Sequence, residues 1–151
     1  MMASVQLLLD LDSETPIYQQ IRDRVVEAIA DGHLAAGAAL PSTRQLAVDL
    51  AINFHTVNKA YDLLRREGII RVNRKSGAIV HPGVKQPITD AEAAADWRRR
   101  ARTLLAEADV RGLSREEIQG FVRTTLDRFS DLPTTEPRPD AGSTASRATT
   151  D

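Results

Sequence analysis

PSTRQLAVDLAINFHTVNKAYDLLRRE, residues 41–67, holds two short helical periodicities separated by a tight break. Leu46, Ala47 and Leu50 fall on one face of a first helix. Val57, Ala60, Tyr61 and Leu64 fall on one face of a second, the spacing that appears when one side of a helix is buried. Ser42 after Pro41 can accept from the orphan amides of the first helix, and Asn53 can do the same for the second after Ala51-Ile52. Two helices this short and this close predict a helix-turn-helix, whose second helix enters the major groove of DNA.

With the apolar face of the second helix turned inward, Phe54, His55, Asn58 and Lys59 project outward. Asn pairs with adenine edges, Lys with guanine edges or phosphate, and an aromatic ring touches a thymine methyl. A helix N-terminus adds free amides and a dipole that favour phosphate. The competing reading is an ordinary solvated helix face.

The whole chain of 151 residues has a net charge of −1, which by itself gives no reason to expect a nucleic-acid partner. The charge is unevenly spread. Residues 1–43 hold two basic side chains against six acidic ones, whereas residues 44–85 hold eight against three. The positive field sits on the helix-turn-helix and on the segment directly after it. Length suits one core-bearing domain with a smaller appendage. There is no cysteine, so disulfides and thiolate metal sites are excluded. The opening apolar run is too short for a signal peptide, and no stretch approaches a membrane span. A soluble, cytoplasmic protein with no membrane association is expected.

Upstream, Val5–Leu11 reads as a short edge strand or an arm. Thr15-Pro16 reads as an N-cap and first helical residue, followed by the stripe Ile17, Ile21, Val25, Ala28 and Ile29, with Gly32 as the stop and a turn over residues 32–37. Downstream of Gly68, Ile69–Val72 and Ala78–Val80 are β-branched runs around the turn signal Asn73-Arg74-Lys75-Ser76-Gly77. Three helices and a hairpin make a winged helix-turn-helix. Its basic tip can lie along phosphates or enter the adjacent minor groove.

The residues Pro16-Ile17-Tyr18-Gln19-Gln20-Ile21, Gly32-His33-Leu34 with Gly37, and Leu40–Ala47 together resemble the DNA-binding domain of GntR-family transcriptional regulators. Thr56-Val57, Lys59-Ala60-Tyr61, Leu64, Glu67-Gly68, Gly77 and Val80 continue the likeness over about residues 10–82. The resemblance implies a bacterial repressor or activator that binds a near-palindromic operator as a dimer. It implies DNA contact at Arg44 in the Pro-Ser-x-Arg segment, at Phe54, His55, Thr56 and Asn58, and at Lys75, Ser76 and Gly77 in the wing. Ser42, Thr43, Lys59 and Arg74 complete the candidate DNA-binding set. Phe54 departs from the family pattern, which usually has arginine there. Its ring either packs on a thymine methyl or tucks against the core.

The second half is expected to be a linker over residues 83–88, a two-helix dimerisation domain over 89–132 and a disordered tail over 133–151. Thr89 or Asp90 can cap a helix carrying Ala94, Trp97, Ala101, Leu104, Leu105 and Ala108. Gly112 ends it, and Ser114 with Glu117 forms a capping box. The next helix carries Ile118, Phe121, Val122, Leu126 and Phe129 on its apolar side. Two such stripes need covering, either by a second copy or by the winged helix of the same chain. The candidate dimer interface is the set from Trp97 to Phe129 without Ala94. This short second half resembles the YtrA-type subfamily of GntR regulators. The 67 residues after Val84 are too few for the larger effector domains of the family, so the resemblance implies no dedicated ligand pocket and a regulon often including transporter genes. Arg98-Arg99-Arg100 with Arg102 either touches DNA or forms a solvated face paired with acids. Trp97 either lines a pocket or anchors the interface.

The histidines form no ligand spacing with a carboxylate pair, and no phosphate loop or nucleophile elbow is present. Neither an enzyme nor a bound metal or cofactor is expected. A small-molecule effector stays open. The alternative to a DNA-binding regulator is a winged-helix protein-interaction module, which would place apolar or acidic residues on the outer face of the third helix.

Overall fold

Ile21, Val25 and Ile29 recur at helical spacing and form the buried stripe of α1 (Ile17–Ala30) in the computed structural model, which describes residues 7–74 and 77–129. The chain continues through α2 (Thr43–Leu50), α3 (Phe54–Arg66), β1 (Ile70–Asn73) and β2 (Gly77–Val80), then α4 (Ala91–Val110) and α5 (Arg115–Arg128). The fold is mainly helical with one antiparallel hairpin, in which Ile70 pairs with Val80 and Asn73 with Gly77. One core joins α1, α2, α3 and the hairpin. Ile21, Leu34, Leu64, Ile70, Val57 and Val80 are fully buried in it.

Local chemistry explains where the elements begin and end. Ser42 accepts from the Gln45 amide at 3.1 Å, and Asn53 accepts from the His55 amide at 2.8 Å. Between α2 and α3 the turn passes through Ala51 at φ 52°, a left-handed conformation that costs a residue with a Cβ roughly 1–2 kcal/mol. Glycine meets the same demand without that cost at Gly68, φ +73°, where the chain leaves α3 for β1.

Three expectations need correction. Pro16, at ψ 143°, is the cap residue of α1 rather than its first helical residue, and no side chain caps this helix. Thr15 instead gives its carbonyl to Gln20 Nε2 at 2.8 Å. The same buried glutamine exchanges two more hydrogen bonds with the backbone of Asp10, which ties the N-terminal segment to α1. Leu7–Leu11 is no strand, although Leu7 joins the core; Val5 and Gln6 lie outside the described residues. The segment before α2 is more than a turn. Ala39 bridges Ile79, and backbone hydrogen bonds from Gly37 and Leu40 to β2 give the hairpin a short third edge.

α4 is capped by Asp90, whose carboxylate accepts from the Glu92 amide at 2.9 Å. α5 opens on a complete capping box between Ser114 and Glu117, and the hydrogen bonds from Ser114 hold the Glu117 carboxyl below its ordinary pKa. Among the described residues, α4 and α5 pack on each other and on no element of the winged helix. The alternative in which they fold back onto their own winged helix is thereby corrected: neither helix contains a buried residue. The segment read as a linker is anchored at its start. The Gly83 amide donates to His81 Nδ1 at 2.9 Å, Val84 packs against the core, and Lys85 Nζ donates to the Ala30 carbonyl at 3.3 Å. The stretch read as a tail, 133–151, lies outside the described residues.

Candidate nucleic-acid interface

α3 owes its orientation to a four-residue apolar stripe. Val57, Ala60, Tyr61 and Leu64 are buried between α1, α2 and the hairpin. Tyr61 is fixed further, since its hydroxyl donates to the Pro41 carbonyl at 2.7 Å. Burial pushes the Tyr61 pKa up, so the hydroxyl stays a donor across the physiological range. This bond locks the start of α2 to the middle of α3. Arg22 supplies a second lock, reaching Glu67 at 2.9 Å and Asp23 at 3.0 Å. Burial opposes its charge, but the hydrogen bonds it donates to those two carboxylates outweigh burial and raise its pKa.

Two grooves result. Ser42, Thr43 and Asn58 meet Gly77 of the hairpin in one of about 520 Å³, together with Tyr61, Asp62, Arg65, Val72 and Ala78. The start of α2, the outer face of α3 and the start of β2 therefore share one surface. Arg44 and Phe54 line the second groove with Ala47, Val48, Ala51 and Ile52. His55 is exposed beside them, its ring edge-on to Phe54 with centroids 5.7 Å apart.

Several candidates sit differently from a freely projecting helix face. Phe54 is half-buried and packs against the core, with the Arg44 guanidinium 5.5 Å above its ring centroid. Thr56 and Asn58 are half-buried as well. Lys59 is exposed, yet its ammonium lies 4.0 Å from the Tyr18 ring centroid on α1, a cation–π contact rather than a free charge. Arg74 is exposed, while Lys75 and Ser76 lie outside the described residues.

Sequence reasoning missed Tyr18, Tyr61, Asp62 and Arg65. Tyr18 enters the sequence reading only through the family likeness and Tyr61 also as part of the apolar face of α3, and nothing in the spacing shows that Tyr18 meets Lys59. Asp62 ion-pairs with Arg65 at 2.6 Å and Arg66 at 3.1 Å, which holds its carboxyl below the usual range and neutralises part of the basic charge at the end of α3. Arg99 and Arg100 on α4 likewise share Asp96, at 2.6 and 3.1 Å. Arg98 and Arg102 line a shallow groove with Trp97 and Leu105.

Residues 17–80 match the bacterial regulatory proteins of the gntR family. The chain is 31% identical over 115 residues to the HTH-type transcriptional repressor YtrA of Bacillus subtilis, covering 76% of this chain and 88% of that protein. The chain belongs to the GntR family. Within that family it is of the YtrA type. YtrA of Sulfolobus acidocaldarius, a GntR-family transcription factor, is 38% identical and superposes with a TM-score of 0.53, covering 69% of this chain and 97% of that one. A GntR-family transcriptional regulator from Listeria monocytogenes is 29% identical with a TM-score of 0.56, covering 76% and 98%.

As a GntR-family protein, this chain is a transcriptional regulator with a DNA-binding winged helix-turn-helix. The family is one of regulators rather than enzymes. Among the described residues, no helix is long and apolar enough to cross a membrane, and no cluster of His, Asp and Glu is arranged to hold a metal ion.

Proposed function

We propose that the protein is a repressor acting in the cytoplasm, binding a near-palindromic double-stranded operator as a homodimer and controlling its own operon, transporter genes included. The observation that carries this reading is the shared groove of Ser42, Thr43, Asn58 and Gly77. It offers a hydroxyl-bearing helix start, an amide side chain on α3 and a wing in one concave surface, the parts that grip a major groove and its flanking phosphates. The name of the Bacillus subtilis relative supports repression. Two copies would set their α3 helices in successive major grooves, about 34 Å apart.

The second half supports the dimer by the apolar surface it leaves uncovered. Trp97 is 59% exposed, Leu104 67% and Phe121 73%, with Leu105, Val122 and Leu126 also exposed. Ala101, Ala108, Ile118 and Phe129 are half-buried within the helix pair. So many exposed large apolar side chains on two paired helices mark an interaction surface, and a second copy is the economical cover. Because Gly83, Val84 and Lys85 are anchored to the winged helix, changes in head orientation would pivot between Gln86 and Thr89.

Binding to DNA from upstream of the gene, compared with a scrambled duplex across a salt series, tests the reading. A specific complex of two protomers per site with a steep salt slope is expected. Equal, weak binding to both duplexes would remove self-regulation. No binding at low salt would remove the operator-binding proposal.

Lys59→Ala should weaken the specific complex by about three- to tenfold while lowering the salt slope by about one. Such a result makes Lys59 a phosphate contact that leaves Tyr18 on binding. The same loss with an unchanged slope would make it a base contact, and no loss at all would place Lys59 permanently on Tyr18.

A further inference from the structure

We propose that Phe54 is a positioning residue for Arg44: the ring, seated between α2 and α3, holds the guanidinium toward DNA and reads no base itself. The inference rests on Arg44 being a DNA contact and goes beyond it in assigning the group that aims that contact.

Three observations meet at this point. Phe54 is the first residue of α3, half-buried and packed against the core, and it lines one groove together with Arg44, Ala47, Val48, Ala51 and Ile52. Arg44, in the first turn of α2, is exposed and carries its Cζ 5.5 Å from the ring centroid. Arg44 has no carboxylate partner among the described residues, unlike Arg65 and Arg66 at the other end of α3. The ring is therefore the group that orients it.

The chemistry suits the task. A cation held over an aromatic face is attracted through the quadrupole of the ring. It surrenders none of its five N–H donors, which stay free for phosphate oxygens or a guanine edge. An acidic partner would have consumed those donors and cancelled the charge. The alkyl stem and planar head of arginine lose much rotamer freedom when they bind DNA, and a ring that limits that freedom beforehand reduces the loss. Phenylalanine has no hydrogen-bonding atom with which to read a base. To reach a thymine methyl, the ring would have to give up its packing against the core. His55, edge-on at 5.7 Å, flanks the ring on the exposed side.

A double-mutant cycle on the full chain tests this, using duplexes recovered from a randomised library by the unmutated protein as the probe. Phe54→Leu, Phe54→Tyr, Arg44→Ala and the Phe54→Leu/Arg44→Ala pair are compared for affinity and for base preference in the bound pool. Phe54→Leu should weaken binding about fivefold and disturb the same base positions as Arg44→Ala. Phe54→Tyr, which keeps the ring, should stay within about twofold of the unmutated protein. The pair should bind no worse than Arg44→Ala alone, within about twofold.

Losses that multiply in the pair would overturn the proposal, and so would a Phe54→Leu preference profile altered at positions Arg44→Ala leaves intact. Either result means that Phe54 touches DNA independently. An Arg44→Ala variant with unchanged affinity and profile would instead show that Arg44 is no DNA contact, and the positioning role would fall with it. If thermal melting shows Phe54→Leu to be unfolded, Phe54→Met fills a similar apolar volume without a ring and carries the same comparison.

Discussion

Leu104→Glu should sediment as a monomer and lose about a hundredfold or more of its affinity for a two-half-site operator. Leu104 is 67% exposed in the single chain and lies on the helix pair with Leu105, Phe121 and Leu126, all uncovered. A carboxylate placed there costs little while the face is in water. Once a second copy covers the face, the charge is desolvated without a partner, and the contact is lost. The effect on DNA is large because it removes linkage. With one head bound, the second sits at high effective concentration over its half-site, and that advantage alone spans roughly 10²–10⁴ in affinity. Binding to a single half-site should be unchanged, because among the described residues α4 packs on no element of the winged helix. Analytical ultracentrifugation with binding to one- and two-half-site duplexes checks both parts. A dimer that survives Leu104→Glu would move the interface elsewhere.

Elements set by local chemistry were legible in the sequence. Ser42, Asn53, Asp90 and Ser114 all accept the amide hydrogen bonds their positions imply, since a cap depends only on neighbours two or three residues away. The α3 stripe was equally legible, because periodicity and burial of Val57, Ala60, Tyr61 and Leu64 are one fact seen twice. Thr15 is no cap because the helix begins one residue later, with Pro16 at the cap position, and no spacing rule reports the buried Gln20 that clamps the Thr15 carbonyl and the Asp10 backbone.

The site residues divide along the same line. That Phe54, His55, Asn58 and Lys59 share the outer side of a helix is a consequence of 100° per residue. The partner each side chain meets is decided by other elements. Lys59 finds Tyr18 on α1 and Arg44 finds Phe54 across the α2–α3 turn, pairings separated by enough chain that the sequence offers no signal for them. The anchoring of Lys85 on Ala30, 55 residues away, is illegible for the same reason. Family likeness gave the positions of interest without the partners that orient them.

Leu64→Ala should lower the stability of the winged helix by about 2–5 kcal/mol and its melting temperature by about 8–40 °C. Leu64 is fully buried in α3 among residues of α1 and the hairpin, and the amide of Ile69 donates to its carbonyl where the chain turns toward β1. Truncation removes three methyl and methine carbons from the place where helix, helix and wing converge, and close-packed surroundings relax only partly around the void. Against a total stability of about 5–15 kcal/mol, that loss leaves a head that is folded but frays readily. Val48→Ala is the matched control. It also deletes apolar carbon from a helix, but Val48 is 75% exposed, so its change should stay within about 0.5 kcal/mol. Because among the described residues α4 and α5 pack on no helix or strand of the winged helix, Leu64→Ala should leave self-association intact while DNA binding fails at the lower melting temperature. Joint loss of both properties at one temperature would mean that the two halves unfold as one unit.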